Sequence, residues 1–218
     1  MEVGPSLVAH LTALTGLQEL RLNAAQQLHA DMRLQASCLG PLQQLQSLTY
    51  LYINAGRSNA FGDSSATVAH HVKGSLVLTN LTKLSHLAMV RGRVAIHPGV
   101  LLALTGLQVL QLQPDTSAIE ASATGNLSKL FAALAQCTTL TELSLSRLHG
   151  QPPPPASAYA ALTASPGLCC LDLAHCSITE GAWQHIFPAG SQLSALQDLR
   201  LADIKGGRAH DIFFHTVL

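Results

Sequence analysis

Apolar positions along this chain follow one spacing that occurs seven times. The segments are Leu17-Leu20-Leu22, Leu48-Leu51-Ile53, Leu84-Leu87-Met89, Leu107-Leu110-Leu112, Leu140-Leu143-Leu145, Leu168-Leu171-Leu173 and Leu196-Leu199-Leu201, each reading L-x-x-L-x-L. The last two apolar residues alternate with other types, which predicts a short strand with one buried face. The closing residues fall at 22, 53, 89, 112, 145, 173 and 201, so the steps are 31, 36, 23, 33, 28 and 28 residues. A unit of this size has one apolar face and nothing of its own to cover it, so it must stack on a neighbour.

Ahead of four strands the leucines continue in steps of three: Leu11-Leu14-Leu17, Leu42-Leu45-Leu48, Leu78-Leu81-Leu84 and Leu101-Leu104-Leu107. That spacing predicts a helical or 3₁₀ arm leading into the strand. The clearest helix covers 126–136, with Asn126 as a cap and Leu127, Leu130, Phe131 and Leu134 on one face. A second is expected to start at Thr179, which suits a cap, with Glu180 in its first turn and Trp183, Ile186 and Phe187 as its apolar side. The longer steps require insertions. These are visible at 56–75, at 114–125 and in the four-proline run 152–155, all expected on the outer side.

The seven segments resemble leucine-rich repeats and cover nearly the whole chain. The unit 168–186, LCCLDLAHCSITEGAWQHI, carries Cys176 and then Gly181 after its strand. It resembles the cysteine-containing, ribonuclease-inhibitor-like subclass, in which Cys stands where other subclasses put Asn. Asn23 and Asn54 follow their closing apolar residues directly, two positions short of the family's Asn, so its role is not carried onto them. The resemblance implies an α/β fold, a right-handed curved solenoid of about seven repeats with parallel strands on its concave side and helical or irregular convex arms. It also implies a module that binds other macromolecules on the concave face. A single domain over 1–218 is expected, as a fragment or as part of a larger protein, because repeat arrays need polar terminal caps. Phe213, Phe214, Val217 and Leu218 read as the start of a helix with no strand to cover, so self-association through an uncapped end is expected.

Strand alternation also names the residues of the open face. Between the last two apolar positions stand Arg21, Tyr52, Ala88, Gln111, Ser144, Asp172 and Arg200. Just before the middle leucine stand Glu19, Tyr50, His86, Val109, Glu142, Cys170 and Asp198. Arg21, Tyr50, Tyr52 and His86 form the first candidate binding group, because they combine aromatic area, a fork-shaped donor and a titrating imidazole on three consecutive strands. Gln111 continues that face, and Asp172, Asp198 and Arg200 form a second, weaker polar cluster. Both tyrosines are also ordinary strand formers.

Composition narrows the class of partner. Hydrophobic residues are 48% and aromatics 4%, so the core is aliphatic, and Lys plus Arg balance Asp plus Glu at 12 each. With no basic patch, neither nucleic acid nor an anionic membrane is an expected partner. The N-terminus lacks a signal-peptide pattern, and no stretch approaches the ~18 apolar residues of a membrane helix, so a cytoplasmic protein is expected. Cys38, Cys137, Cys169, Cys170 and Cys176 are odd in number and scattered, which fits reduced thiols. The sequons at Asn80 and Asn126 then carry no sugar.

The alternative reading is a metal-binding or enzymatic site around Cys170, His175 and Cys176, next to Cys169. Against it, adjacent strand side chains diverge, and Cys176 occupies a position that the repeat itself fills. An open sheet also supplies no pocket for a catalytic thiol. His70-His71 lie in no zinc-protease spacing, and no phosphate-binding glycine motif occurs. No cofactor is expected. The favoured reading is a non-catalytic scaffold or adaptor that binds a protein or peptide on its concave face.

Overall fold

The computed structural model describes residues 10–11, 13–23, 36–54, 78–92, 98–114, 126–147, 154–189 and 193–204. The insertion 56–75 with Phe61, His70 and His71, the insertion from 115 to 125, Pro152, Pro153, and the terminal Phe213, Phe214, Val217 and Leu218 lie outside them.

Each L-x-x-L-x-L segment forms a strand at its second half. The strands are β1 Glu19–Asn23, β2 Tyr50–Asn54, β3 His86–Gly92, β4 Val109–Pro114, β5 Glu142–Leu145, β6 Cys170–Asp172 and β7 Asp198–Arg200. They form one open seven-stranded sheet in chain order, and every pairing is parallel. The register places Leu20, Leu51, Leu87, Leu110, Leu143, Leu171 and Leu199 side by side across the sheet. This is a leucine-rich-repeat solenoid. Its middle leucines are fully enclosed, Leu51, Leu87, Leu110 and Leu171 being 0% exposed, whereas Leu199 and Leu201 in the last unit are only partly buried.

The leucines spaced by three are tight turns. The amides of Leu17, Leu48, Leu84, Leu107, Leu168 and Leu196 each donate to the carbonyl three residues back at 2.9–3.2 Å, the bond of a 3₁₀ turn. Cys137 and Ser165 take the place of the middle leucine in two of these arms, and both are buried. Ser165 remains satisfied there because its hydroxyl reaches Leu140 O at 2.6 Å or Thr138 O at 2.9 Å.

Among the described residues the arms behind the sheet include two 3₁₀ helices, Ala36–Gln44 and Ala156–Thr163, and three short α-helices, Pro98–Ala103, Asn126–Leu134 and Trp183–Ile186. From Pro98 onward each of these helices packs on the next. The helix at Asn126 ends two residues earlier than its sequence suggests, as the chain turns at 135–136 toward buried Cys137. The helix expected from Thr179 begins only at Trp183. Thr179 has a different role: its hydroxyl donates to Pro154 O at 2.7 Å and its amide to the Tyr159 hydroxyl at 3.3 Å. Buried Tyr159 meets Phe131 edge-on at 5.0 Å, so this tyrosine joins three successive arms.

A second column couples the repeats through their backbones. The carbonyls of Gln18, Thr49, Ser85, Gln108, Thr141 and Cys169, four residues before each closing position, each accept two amides from the next repeat at 2.7–3.1 Å. Where the residue carries a hydroxyl or thiol, it adds a third bond to the same carbonyl column. Thr49, Ser85, Thr141 and Cys169 reach back to Gln18, Thr49, Gln108 and Thr141 at 3.0, 3.1, 3.2 and 3.1 Å. After β5, β6 and β7 the second residue past the closing leucine, Arg147, His175 or Asp203, has a positive φ of 60°, 57° or 49°. The last three units therefore share one sharp turn, consistent with their equal steps.

Because Leu143 is buried between two neighbouring strands and Ser144 faces out, Leu143→Ala should cost about 2–5 kcal/mol. Ser144→Ala should cost no more than about 1 kcal/mol, the worth of its hydrogen bond. Chemical denaturation of both variants checks this, and equal losses would contradict the register.

Candidate functional site

The face of the sheet opposite the arms carries two rows of side chains, aligned by the strand register. One row runs Glu19, Tyr50, His86, Val109, Glu142, Cys170, Asp198, and the other Arg21, Tyr52, Ala88, Gln111, Ser144, Asp172, Arg200. All eight candidate binding residues, Arg21, Tyr50, Tyr52, His86, Gln111, Asp172, Asp198 and Arg200, lie in these rows and are exposed or half-buried.

At the β1–β3 end the side chains are stacked. The Arg21 guanidinium carbon sits 4.9 Å from the centre of the Tyr50 ring, within cation–π range. The Tyr50 ring in turn lies 5.7 Å from the His86 imidazole at 34°. Arg21 Nε donates to Glu19 Oε1 at 2.6 Å, and this hydrogen bond, then the Glu19 charge, hold the guanidinium still more firmly protonated. Ser85 Oγ lies 2.7 Å from His86 Nδ1 and 3.1 Å from Thr49 O. A hydroxyl has one proton to give, so with it on Thr49 O the imidazole Nδ1–H donates to Ser85. Ala88, only 8% exposed, leaves a low point between Tyr52 and Gln111.

At the β5–β7 end the polar groups bind one another. Arg200 donates twice to Asp198, from Nη2 at 2.7 Å and from Nε at 3.4 Å. Ser144 donates to Asp172 at 3.3 Å, and the other Asp172 oxygen accepts the Ala174 amide at 3.1 Å. Glu142 stands exposed beside them.

The cysteine-rich unit is split among three environments. Cys169 belongs to the carbonyl column, doing what Thr141 does one repeat earlier. Cys170 faces the open side near Asp198, at 3.9 Å. Buried Cys176 donates to Leu145 O of the preceding repeat at 2.8 Å. His175 instead meets Asp203 at 3.0 Å across the next turn. Burial first, and the neighbouring Asp198 second, push the Cys170 thiol above its usual range, the reverse of what an activated nucleophile needs. Burial likewise pushes Cys137 up. Among the described residues no group of three or more His, Cys, Asp or Glu could hold a metal ion, and Cys137, Cys169, Cys170 and Cys176 form no disulfide.

Sequence reasoning missed the Ser/Thr/Cys column and the Tyr159 bridge. The column has a signal in hindsight, a small polar residue directly before the face row in four repeats, but nothing in the sequence distinguishes it from solvent-exposed threonines. Among the described residues no helix is long and apolar enough to cross a membrane.

Fold and face together define a leucine-rich-repeat solenoid whose sheet face is uncovered among the described residues. Neither a protein-family model nor a curated protein matches the sequence. Among solved structures the chain is similar to an internalin from Listeria monocytogenes, with a TM-score of 0.50 and 17% identity over 94% of this chain and 52% of that one. A leucine-rich-repeat protein of Leptospira interrogans also matches, with a TM-score of 0.41 and 14% identity over 90% of this chain and 51% of that one. The chain thus spans about half the length of each. The likeness to the internalin is one of fold.

The raised Cys170 thiol gives a direct expectation. At neutral pH it holds less thiolate than an ordinary cysteine, so iodoacetamide should label it more slowly than a free cysteine. Mass-spectrometric mapping of labelled sites checks this, and fast labelling of Cys170 would reinstate it as a reactive group.

Proposed function

We propose that this protein is a non-catalytic recognition module, a single domain over 1–218 that binds a segment of another protein across its open sheet face. The observation that carries this reading is the Arg21–Tyr50–His86 stack, held at 4.9 and 5.7 Å on three neighbouring strands. Its side chains are already stacked on one another, so docking there costs less ordering entropy than on unpaired side chains, and Tyr and Arg are the types that dominate binding energy. An open sheet suits an extended protein surface better than a small molecule, which binds in a closed cavity. The dispersal of Cys170, His175 and Cys176 and the raised Cys170 thiol favour this reading over an enzyme.

Three smaller readings accompany it. Cys176, buried and bonded back to the preceding repeat, supports assigning its unit to the cysteine-containing subclass. Cys137, Cys169 and Cys170, none of them in a disulfide, support a reducing compartment such as the cytoplasm, and the only partly buried Leu199 and Leu201 support self-association at that end of the array.

With a partner identified by crosslinking, Tyr52→Ala and Arg21→Ala should each weaken binding by more than about 1 kcal/mol while leaving the melting temperature unchanged. Isothermal titration calorimetry reads the affinities. Wild-type binding by both variants, combined with loss on Phe61→Ala, would move the recognition surface to the insertion that carries Phe61.

A further inference from the structure

The two end strands carry the same arrangement, an acid two residues before an arginine, yet leave those arginines in different states. In β7 the short Asp198 side chain takes both Nε and Nη2 of Arg200. In β1 the longer Glu19 takes Nε alone, and the guanidinium lies over the Tyr50 ring. Among the described residues the two Nη groups of Arg21 and the hydroxyls of Tyr50 and Tyr52 have no hydrogen-bond partner. Arg21 is thus held at Nε and by its face, with both Nη groups left unbonded. Its side chain is 65% exposed. His86, tied to Ser85, braces the Tyr50 ring from the other side.

Resting on the proposed role of this face, we infer that the β1–β3 end is a receptor for a side-chain carboxylate, an Asp or Glu on an extended segment of the partner protein. The chemistry follows from what is offered: a guanidinium fork matches a carboxylate with two parallel bonds, and two phenol hydroxyls beside it are further donors. The same partner residue is disfavoured at the β5–β7 end, where Asp198 already takes one edge of Arg200, and Glu142 and Asp172 repel a second carboxylate. The sign gradient along the face therefore fixes which way the segment lies across the strands. An edge arginine paired with a neighbouring acid also protects a sheet edge from pairing with other chains. That role is met equally by Arg21 and Arg200, whereas recognition requires only Arg21.

The test pans a display library of random dodecapeptides, which present no free C-terminus, on the full chain and measures the enriched sequences as amidated synthetic peptides by fluorescence anisotropy. The expected result is an acidic residue at a fixed position, with Glu→Gln in the peptide weakening binding about tenfold or more. Arg21→Gln should weaken binding similarly and abolish the discrimination between the Glu and Gln peptides, whereas Arg200→Gln should leave both intact. Absence of any enriched sequence, enriched sequences without an acid, or undiminished discrimination by the Arg21→Gln protein would overturn the inference. Sequences without an acid that still lose binding on Tyr52→Ala would overturn only the carboxylate and keep the face. Insensitivity to both Tyr52→Ala and Arg21→Gln would overturn the face as well.

Discussion

Every other feature of this protein depends on the lateral coupling between repeats. Each inward leucine packs against the equivalent leucine of the next strand, and one carbonyl per repeat accepts two amides from its neighbour. Neither interaction exists within one unit. A slip of one residue would turn the leucines outward and break the carbonyl column at once, so the two reinforce a single register. This explains why units of unequal length, separated by steps of 23 to 36 residues, still present their strands in line. The strand and the turn before it are constrained by both neighbours through this register, while the described arms from Pro98 onward meet their neighbours through helix packing instead.

That division leaves the outward rows free to vary without cost to the core. Their residues range from Ala88 to Tyr52 at one equivalent position, a range the inward leucine column does not approach. Chemistry on the face is therefore set by what the strand neighbours do to one another. Aromatic neighbours at the β1–β3 end support an arginine without consuming its fork. At the β5–β7 end Asp198 takes one edge of Arg200, and Asp172 and Glu142 add further negative charge beside it. Two clusters with similar residue types thus differ in their surroundings, aromatic beside Arg21 and acidic beside Arg200.

The strand register and both outward rows were legible in the sequence, because period-two alternation after a fixed leucine determines which face each residue takes. The arms were legible only in part. A step of three leucines fits a helix or a 3₁₀ turn, and the choice depends on how far the chain must travel to the next strand, which the step alone does not encode. Thr179 illustrates the limit: as a local signal it is a good helix cap, but the Pro154 carbonyl and the Tyr159 hydroxyl, both more than a dozen residues away, compete for its polar groups and win. Tyr159 itself sits in a small-residue stretch with no apolar period, so its burial against Phe131 is visible only once the arms are stacked.

The same reasoning accounts for the cysteines. Four reactive side chains within eight residues suggest a site when distance along the chain is taken for distance in space. In a repeat, however, neighbouring positions serve different columns. Cys169 belongs to the hydrogen-bond column that Thr141 continues, Cys170 to the open face, His175 to the positive-φ turn shared with Arg147 and Asp203, and Cys176 to the interior below Leu145. Functional groups in such a fold are brought together across repeats, at equivalent positions of adjacent units, and are dispersed along them. Arg21, Tyr50 and His86 are 29 and 36 residues apart in the chain yet stack in one line, which is where recognition chemistry in this molecule has to be sought.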